Sequence, residues 1–170
     1  MGIRDVEIAR IEKYAEGLGA TIVWKKHKRG DPCAEWNNEG AAVTITLYVR
    51  SRRAKVDIIF DLIHELAHHL AWIAAGRSID PSVDKAYKTM EQNKATKKIR
   101  RVVYETERAD SEYQRKVYDD VGIKIPWWKV ELNRRLDVWT YERWYVTGKN
   151  PTVKASRKKR KELFAPLKPQ

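Results

Sequence analysis

The 170-residue chain predicts a small, mostly helical α+β domain with a short β-sheet over residues 1–150, followed by a basic tail over residues 151–170. Three observations carry that expectation. A hydrophobic content of 42% over this length supports one buried core rather than several. Apolar residues recur at helical spacing through most of the chain and alternate at strand spacing only before residue 50. The last stretch, KASRKKRKELFAPLKPQ, sets one acid among seven cationic side chains and has too little apolar content to fold alone.

Taken in order, Ile8, Ile11, Ala15 and Leu18 follow the helical period, and Gly17 and Gly19 stop that first helix. TIVWKK (21–26) is a strand by composition, and HKRGDPCAEWNNEG (27–40) reads as a loop. In AAVTITLYV, Val43, Ile45, Leu47 and Val49 alternate with Thr44, Thr46 and Tyr48, which predicts a half-buried second strand. Residues 57–76 predict a helix with an apolar stripe at Leu62, Leu66, Leu70 and Ile73, acids Asp57 and Asp61 near its start and Gly76 at its end. A polar connector (77–101) with a short helix near 84–90 follows. Ile99, Val102, Val103, Thr106, Ala109, Tyr113, Val117 and Val121 then predict a single long helix up to Gly122. Pro126 suits the first position of a last helix, whose stripe Leu132, Leu136, Trp139 and Val146 runs to Gly148 and Pro151. Its tryptophans recur at helical spacing, so they read as core packing rather than base-stacking platforms.

The formal charge of +12 attracts nucleic acid, anionic membrane or acidic protein without choosing among them. No apolar run approaches membrane-spanning length, and MGIRDVEIARIEKY lacks the apolar core of a secretory signal. Cys33 is the single cysteine, which excludes an internal disulfide and a cysteine-based zinc site. These features together predict a reducing, cytoplasmic setting and no membrane partner.

The chemistry lies in LIHELAHHL (62–70). An α-helix advances 100° per residue, so His64 and His68 sit about 40° apart, one turn along the axis, and face one point. Two neutral imidazoles so placed can ligate a divalent ion, and Glu65 beside them can take the proton of a water that the metal acidifies. That water attacks a peptide carbonyl, and the glutamate returns its proton to the leaving amine. With four histidines, such a pattern arises by chance about once in a hundred chains of this composition. The plainer reading is a pair of hydrogen-bonded histidines on a core helix. His69 lies about 100° round from His68, so it is expected to support the site or face solvent rather than bind the same metal.

A third ligand should come from a later element, and YETERADSEY (104–113) is the acid-rich source. With Ile99 at zero on a helical wheel, Asp110 falls at about 20°, Glu107 at about 80° and Glu105 at about 240°. Glu105 therefore faces away from the core. Glu107, on the flank of the apolar stripe, is the expected third ligand. Asp110, inside the stripe, is expected to accept a hydrogen bond from a ligand imidazole N–H, with direct ligation or a salt bridge as its alternatives.

The strand, the alternating strand, the HELAHHL helix and the YETERAD segment running into VGIKIP resemble the ImmA/IrrE-type HExxH zinc metallopeptidases of bacteria, phages and mobile elements, over roughly residues 22–126. The resemblance implies a zincin-like fold, Zn2+ on His64, His68 and a downstream glutamate that maps to Glu107, Glu65 as the catalytic base, and a protein or peptide substrate. The connector, with Lys85, Lys88, Lys94, Lys97, Lys98, Arg100 and Arg101, and the basic tail allow nonspecific, salt-dependent nucleic-acid contact. The rival is a basic nucleic-acid-binding or virion-associated protein with a structural or inactive metal site. A protease acting on DNA-bound proteins would join the two.

Overall fold

The computed structural model describes residues 3–28, 31–39, 42–50, 53–91 and 94–167, without the side chains of Ile3, Arg4, Glu39 and Glu91. The chain is α+β, mostly helical with one three-stranded sheet. It divides into two compact units, Met1–Ala71 with Tyr113–Lys124, and Trp72–Glu112 with Ile125–Gln170. No helix among the described residues is long and apolar enough to cross a membrane.

The first unit begins with α1 (Ile3–Gly17), followed by β1 (Ala20–Lys26), β2 (Ala34–Glu39) and β3 (Ala42–Val49). The sheet order is β1-β3-β2, with β1 parallel and β2 antiparallel to β3. On the other face of central β3 from Val43, Ile45 and Leu47, Thr46 is buried between its register partners Val23 of β1 and Glu35 of β2, while Thr44 and Tyr48 are half-buried. β2 corrects the expectation of a loop over 27–40. Its AEWNNE sequence lacks an alternating apolar pattern because it is an edge strand whose one large apolar side chain is Trp36, in register with Ile45. Arg29, Gly30 and Gly40 of the expected loop lie outside the described residues.

α2 (Lys55–Ala74) carries the HELAHHL motif and runs from the first unit into the second. Its apolar surface is much wider than one stripe: Ile58, Ile59, Phe60, Leu62, Ile63, Leu66, Ala67 and Leu70 are all buried. Gly76, in the left-handed region at φ 72°, ends it as expected, and its N–H donates to Ile73 O. The remaining helix of this unit, α5 (Tyr113–Val121), is tied to α1 by Tyr14 Oη, which donates to Asp120 at 2.7 Å, and the segment after α5 by the Lys124 N–H, which donates to Glu7 Oε1 at 3.3 Å.

The second unit holds α3 (Pro81–Glu91), α4 (Lys97–Ser111), α6 (Trp127–Thr147), α7 (Val153–Phe164) and a 3-10 turn, Ala165–Leu167. α4 packs on α3 and α6, and α7 on α6. Two helical expectations change here. The single long helix over 99–121 is broken at Glu112 into α4 and α5, where apolar periodicity alone gives no sign of a stop. The tail is not featureless, because it borrows the apolar surface of α6: residues 153–164 form α7, capped by Thr152 and packed through Phe164 on Trp128 at 5.4 Å. Its last three residues, 168–170, lie outside the described residues. The tryptophans of α6 are half-buried rather than core, and its buried positions are Val130, Glu131 and Leu132.

Glu131 is held by Arg134 Nε at 2.8 Å and Arg135 Nε at 2.6 Å. Burial pushes its carboxyl up, but the hydrogen bonds from the two arginines outweigh that and leave it below its ordinary value. Arg134 also donates to Glu112 at 2.8 Å and Ser111 at 3.3 Å, so one guanidinium joins α6 to the end of α4.

Candidate metal centre

The α-helical pitch sets the geometry of the histidine pair. His64 and His68 stand one turn apart on α2, each half-buried, with ring planes at 89° and Nε2 atoms 3.1 Å apart. Two nitrogens bound at about 2.0 to 2.1 Å to one tetrahedral ion are roughly 3.3 Å from each other. The pair is therefore at ligand spacing before any ion is added.

His64 is oriented by a side chain that the sequence did not single out. The Gln114 amide, on α5 and only 2% exposed, lies 3.1 Å from His64 Nδ1. A 180° rotation of that amide exchanges its oxygen and nitrogen, so the oxygen can accept Nδ1–H and leave the Nε2 lone pair for a ligand bond. At His64, then, the neighbour in the position foreseen for Asp110 is Gln114. The signal in the sequence was a polar residue inside the otherwise apolar face that carries Val117.

His69 takes a different part from the one expected. It is fully buried, its Nδ1 accepts from Trp36 Nε1 at 3.4 Å, and its Nε2 faces Leu18 O at 3.2 Å. A neutral ring protonated at Nε2 satisfies both contacts, so His69 is a core histidine that links α2 to β2 and to the end of α1. Beside His64 along the helix, Asp61 is paired with Arg53. Burial raises its carboxyl above the ordinary value, against the opposing pull of Arg53 and of His64.

Glu65, the expected base, is 8% exposed on the same helix. Of the three acids of α4, Glu105 lies on the exposed side as the wheel anticipated, but Glu107, expected on the flank of the stripe, is more deeply buried than Asp110, expected inside it. Glu105 is exposed and accepts from Arg101 at 2.8 Å. Glu107 is 3% exposed, and its Oε1 accepts from Tyr87 Oη of α3 at 2.8 Å. Asp110 is half-buried. Tyr87 was not foreseen, although Val83, Ala86 and Tyr87 share one face of a short amphipathic helix. Burial, followed by the Glu107 charge, raises its phenol well above the ordinary value, so it stays a neutral donor to that carboxylate.

Among the described residues, His64, His68 and Glu107 are the group whose side chains each offer one ligand atom. Such a His-His-Glu group could hold a metal ion. No family model, no curated protein and no solved structure matches this chain.

Proposed function

We propose that the protein is a zinc-dependent metallopeptidase of zincin-like fold, akin to the ImmA/IrrE type, that hydrolyses peptide bonds of a protein substrate in the cytoplasm. The observation that carries this reading is the convergence of the His64 and His68 Nε2 atoms, 3.1 Å apart on one turn of α2, in a His-His-Glu group that could hold a metal ion. Two imidazoles and one carboxylate are the donor set of catalytic rather than structural zinc sites, because three protein ligands keep a fourth position open. Cys33, the chain's single thiol, is exposed and stands outside the group.

His64, His68 and Glu107 would hold the ion. Zinc, when bound, supplies a Lewis acid that polarises the scissile carbonyl and acidifies a water. Glu65 accepts the proton of the attacking water and passes it to the leaving amine as the carbon–nitrogen bond breaks, so it ends the cycle ionised. Gln114 fixes the His64 ring, and Tyr87 donates to the Glu107 carboxylate.

The test is the metal content of protein purified without chelator, measured beside a His64→Ala, His68→Ala double variant. One zinc per chain in the parent and none in the variant is the expected result. A parent without zinc or another divalent metal, and without a tight site on titration, removes the reading.

A further inference from the structure

α7 turns the basic end of the chain into a fixed cationic stripe. On a wheel of 100° per residue with Lys154 at zero, Lys158 falls at about 40°, Lys161 at about 340° and Arg157 at about 300°. Four cations thus share an arc of about 100° along roughly 10 Å of helix axis. All four are exposed, and among the described residues none forms an ion pair. The opposite side is half-buried at Ala155, Ser156, Lys159 and Leu163, while Phe164, at about 280°, borders the stripe and packs its ring on Trp128. The helix's one acid, Glu162, lies off the stripe, 3.4 Å from Lys159.

This arrangement works against the helix by itself. Lys154 with Arg157 and Lys158, and Lys161 with Arg157 and Lys158, are like-charged pairs at three- and four-residue spacing, and each pair disfavours the helix. Lys154 also stands in the first turn, where the helix dipole disfavours a cation. A polyanion laid along the stripe relieves all of these terms together.

The chemistry of the face selects the polyanion. A helix that lies in a bilayer surface needs apolar residues beside its cations, yet the large apolar side chain exposed here is Val153, while Phe164 is turned to Trp128. Single strands are held by aromatic platforms, and the stripe has none. The major groove of B-form DNA admits an α-helix, whereas that of A-form RNA is too deep and narrow. We propose that the exposed face of α7 binds the phosphate backbone of duplex DNA without reading base sequence. This inference stands apart from the metal-site reading, since no ligand residue takes part.

The experiment is a fluorescence-anisotropy titration of the full-length protein against a labelled DNA duplex of arbitrary sequence, over a range of potassium chloride concentrations. The logarithm of the affinity should fall linearly with the logarithm of salt concentration. In the variant K154Q/R157Q/K158Q/K161Q the slope should shrink by about three to four, from about 0.9 per phosphate contact. Glutamine keeps helix propensity, so the far-ultraviolet circular dichroism and zinc content should match the parent. A control, K13Q/K25Q/K26Q/K28Q, removes four exposed cations from the other unit and should leave the slope unchanged. Equal losses in the two variants would mean that net charge alone binds, and would overturn the assignment to α7. Absence of DNA binding would overturn it too. Tighter binding to single-stranded DNA, to duplex RNA or to phosphatidylserine vesicles would overturn the choice of partner.

Discussion

The Gln114 amide faces Nδ1 of His64 at 3.1 Å, while Nε2 of the same ring points at Nε2 of His68. A leucine of similar size would pack equally well at this buried position, so the amide's value lies in fixing which ring nitrogen keeps its lone pair. Gln114→Leu should leave the thermal midpoint unchanged or slightly raised, yet weaken zinc binding about 10- to 100-fold. Gln114→Glu, whose carboxylate accepts the same N–H, should recover most of that loss. Competition with a chromophoric chelator reads both constants. Unaltered affinity in the leucine variant would reduce Gln114 to a packing residue.

The three acids of α4 are separated by the same titration. Glu107→Ala should cost zinc affinity more than loss of any outer partner does, whereas Glu105→Ala should bind as the parent does, because its carboxylate is engaged with Arg101 in solvent. The reverse outcome would mean that Glu105 supplies the ligand.

Tyr87→Phe removes the donor to a carboxylate that is 3% exposed. In metal-free protein the expected cost is about 1 to 3 kcal/mol in urea denaturation. Equal stability would show that the Tyr87 hydroxyl does not support Glu107.

Glu131 predicts a pH response of defined sign. Its carboxyl is held below the ordinary value, so its contribution to stability is complete above about pH 4.3 and is lost as pH falls through the lowered folded value. Asp61 is raised instead and therefore responds in the opposite sense, favouring the fold as pH falls. The gap between the parent and Glu131→Gln isolates the first term. Measured by urea denaturation, it should be largest near neutral pH and should close on acidification below about pH 4. A gap that widens with acid would contradict the sign.

Much of this architecture was legible from periodicity. The 3.6-residue stripe of α2, the alternation in β3 and the stop at Gly76 are strong local signals, and the i, i+4 spacing of His64 and His68 fixes their convergence wherever the helix packs. β2 was hidden because an edge strand needs few apolar residues, and the break at Glu112 because both helices continue one apolar period. Gln114 and Tyr87 were missed for a related reason: each acts through a candidate ligand on a different element, and nothing local in α5 or α3 records that partner. His69 was misplaced because the wheel shows only that it leaves the face of His64 and His68, not that Trp36 of β2 and Leu18 O wait on the other side.

The most direct test of peptidase activity compares the zinc-loaded parent with Glu65→Gln, by mass spectrometry of self-cleavage products and of cleavage of an unfolded protein substrate. The amide keeps the shape of the side chain but cannot take the water's proton at neutral pH. The predicted result is equal zinc content in both proteins, with hydrolysis by the parent and a rate about a hundredfold to ten-thousandfold lower in the variant. Equal rates in the two proteins, or no hydrolysis by the zinc-loaded parent, would contradict the account and leave the histidine pair as a structural or inactive metal site.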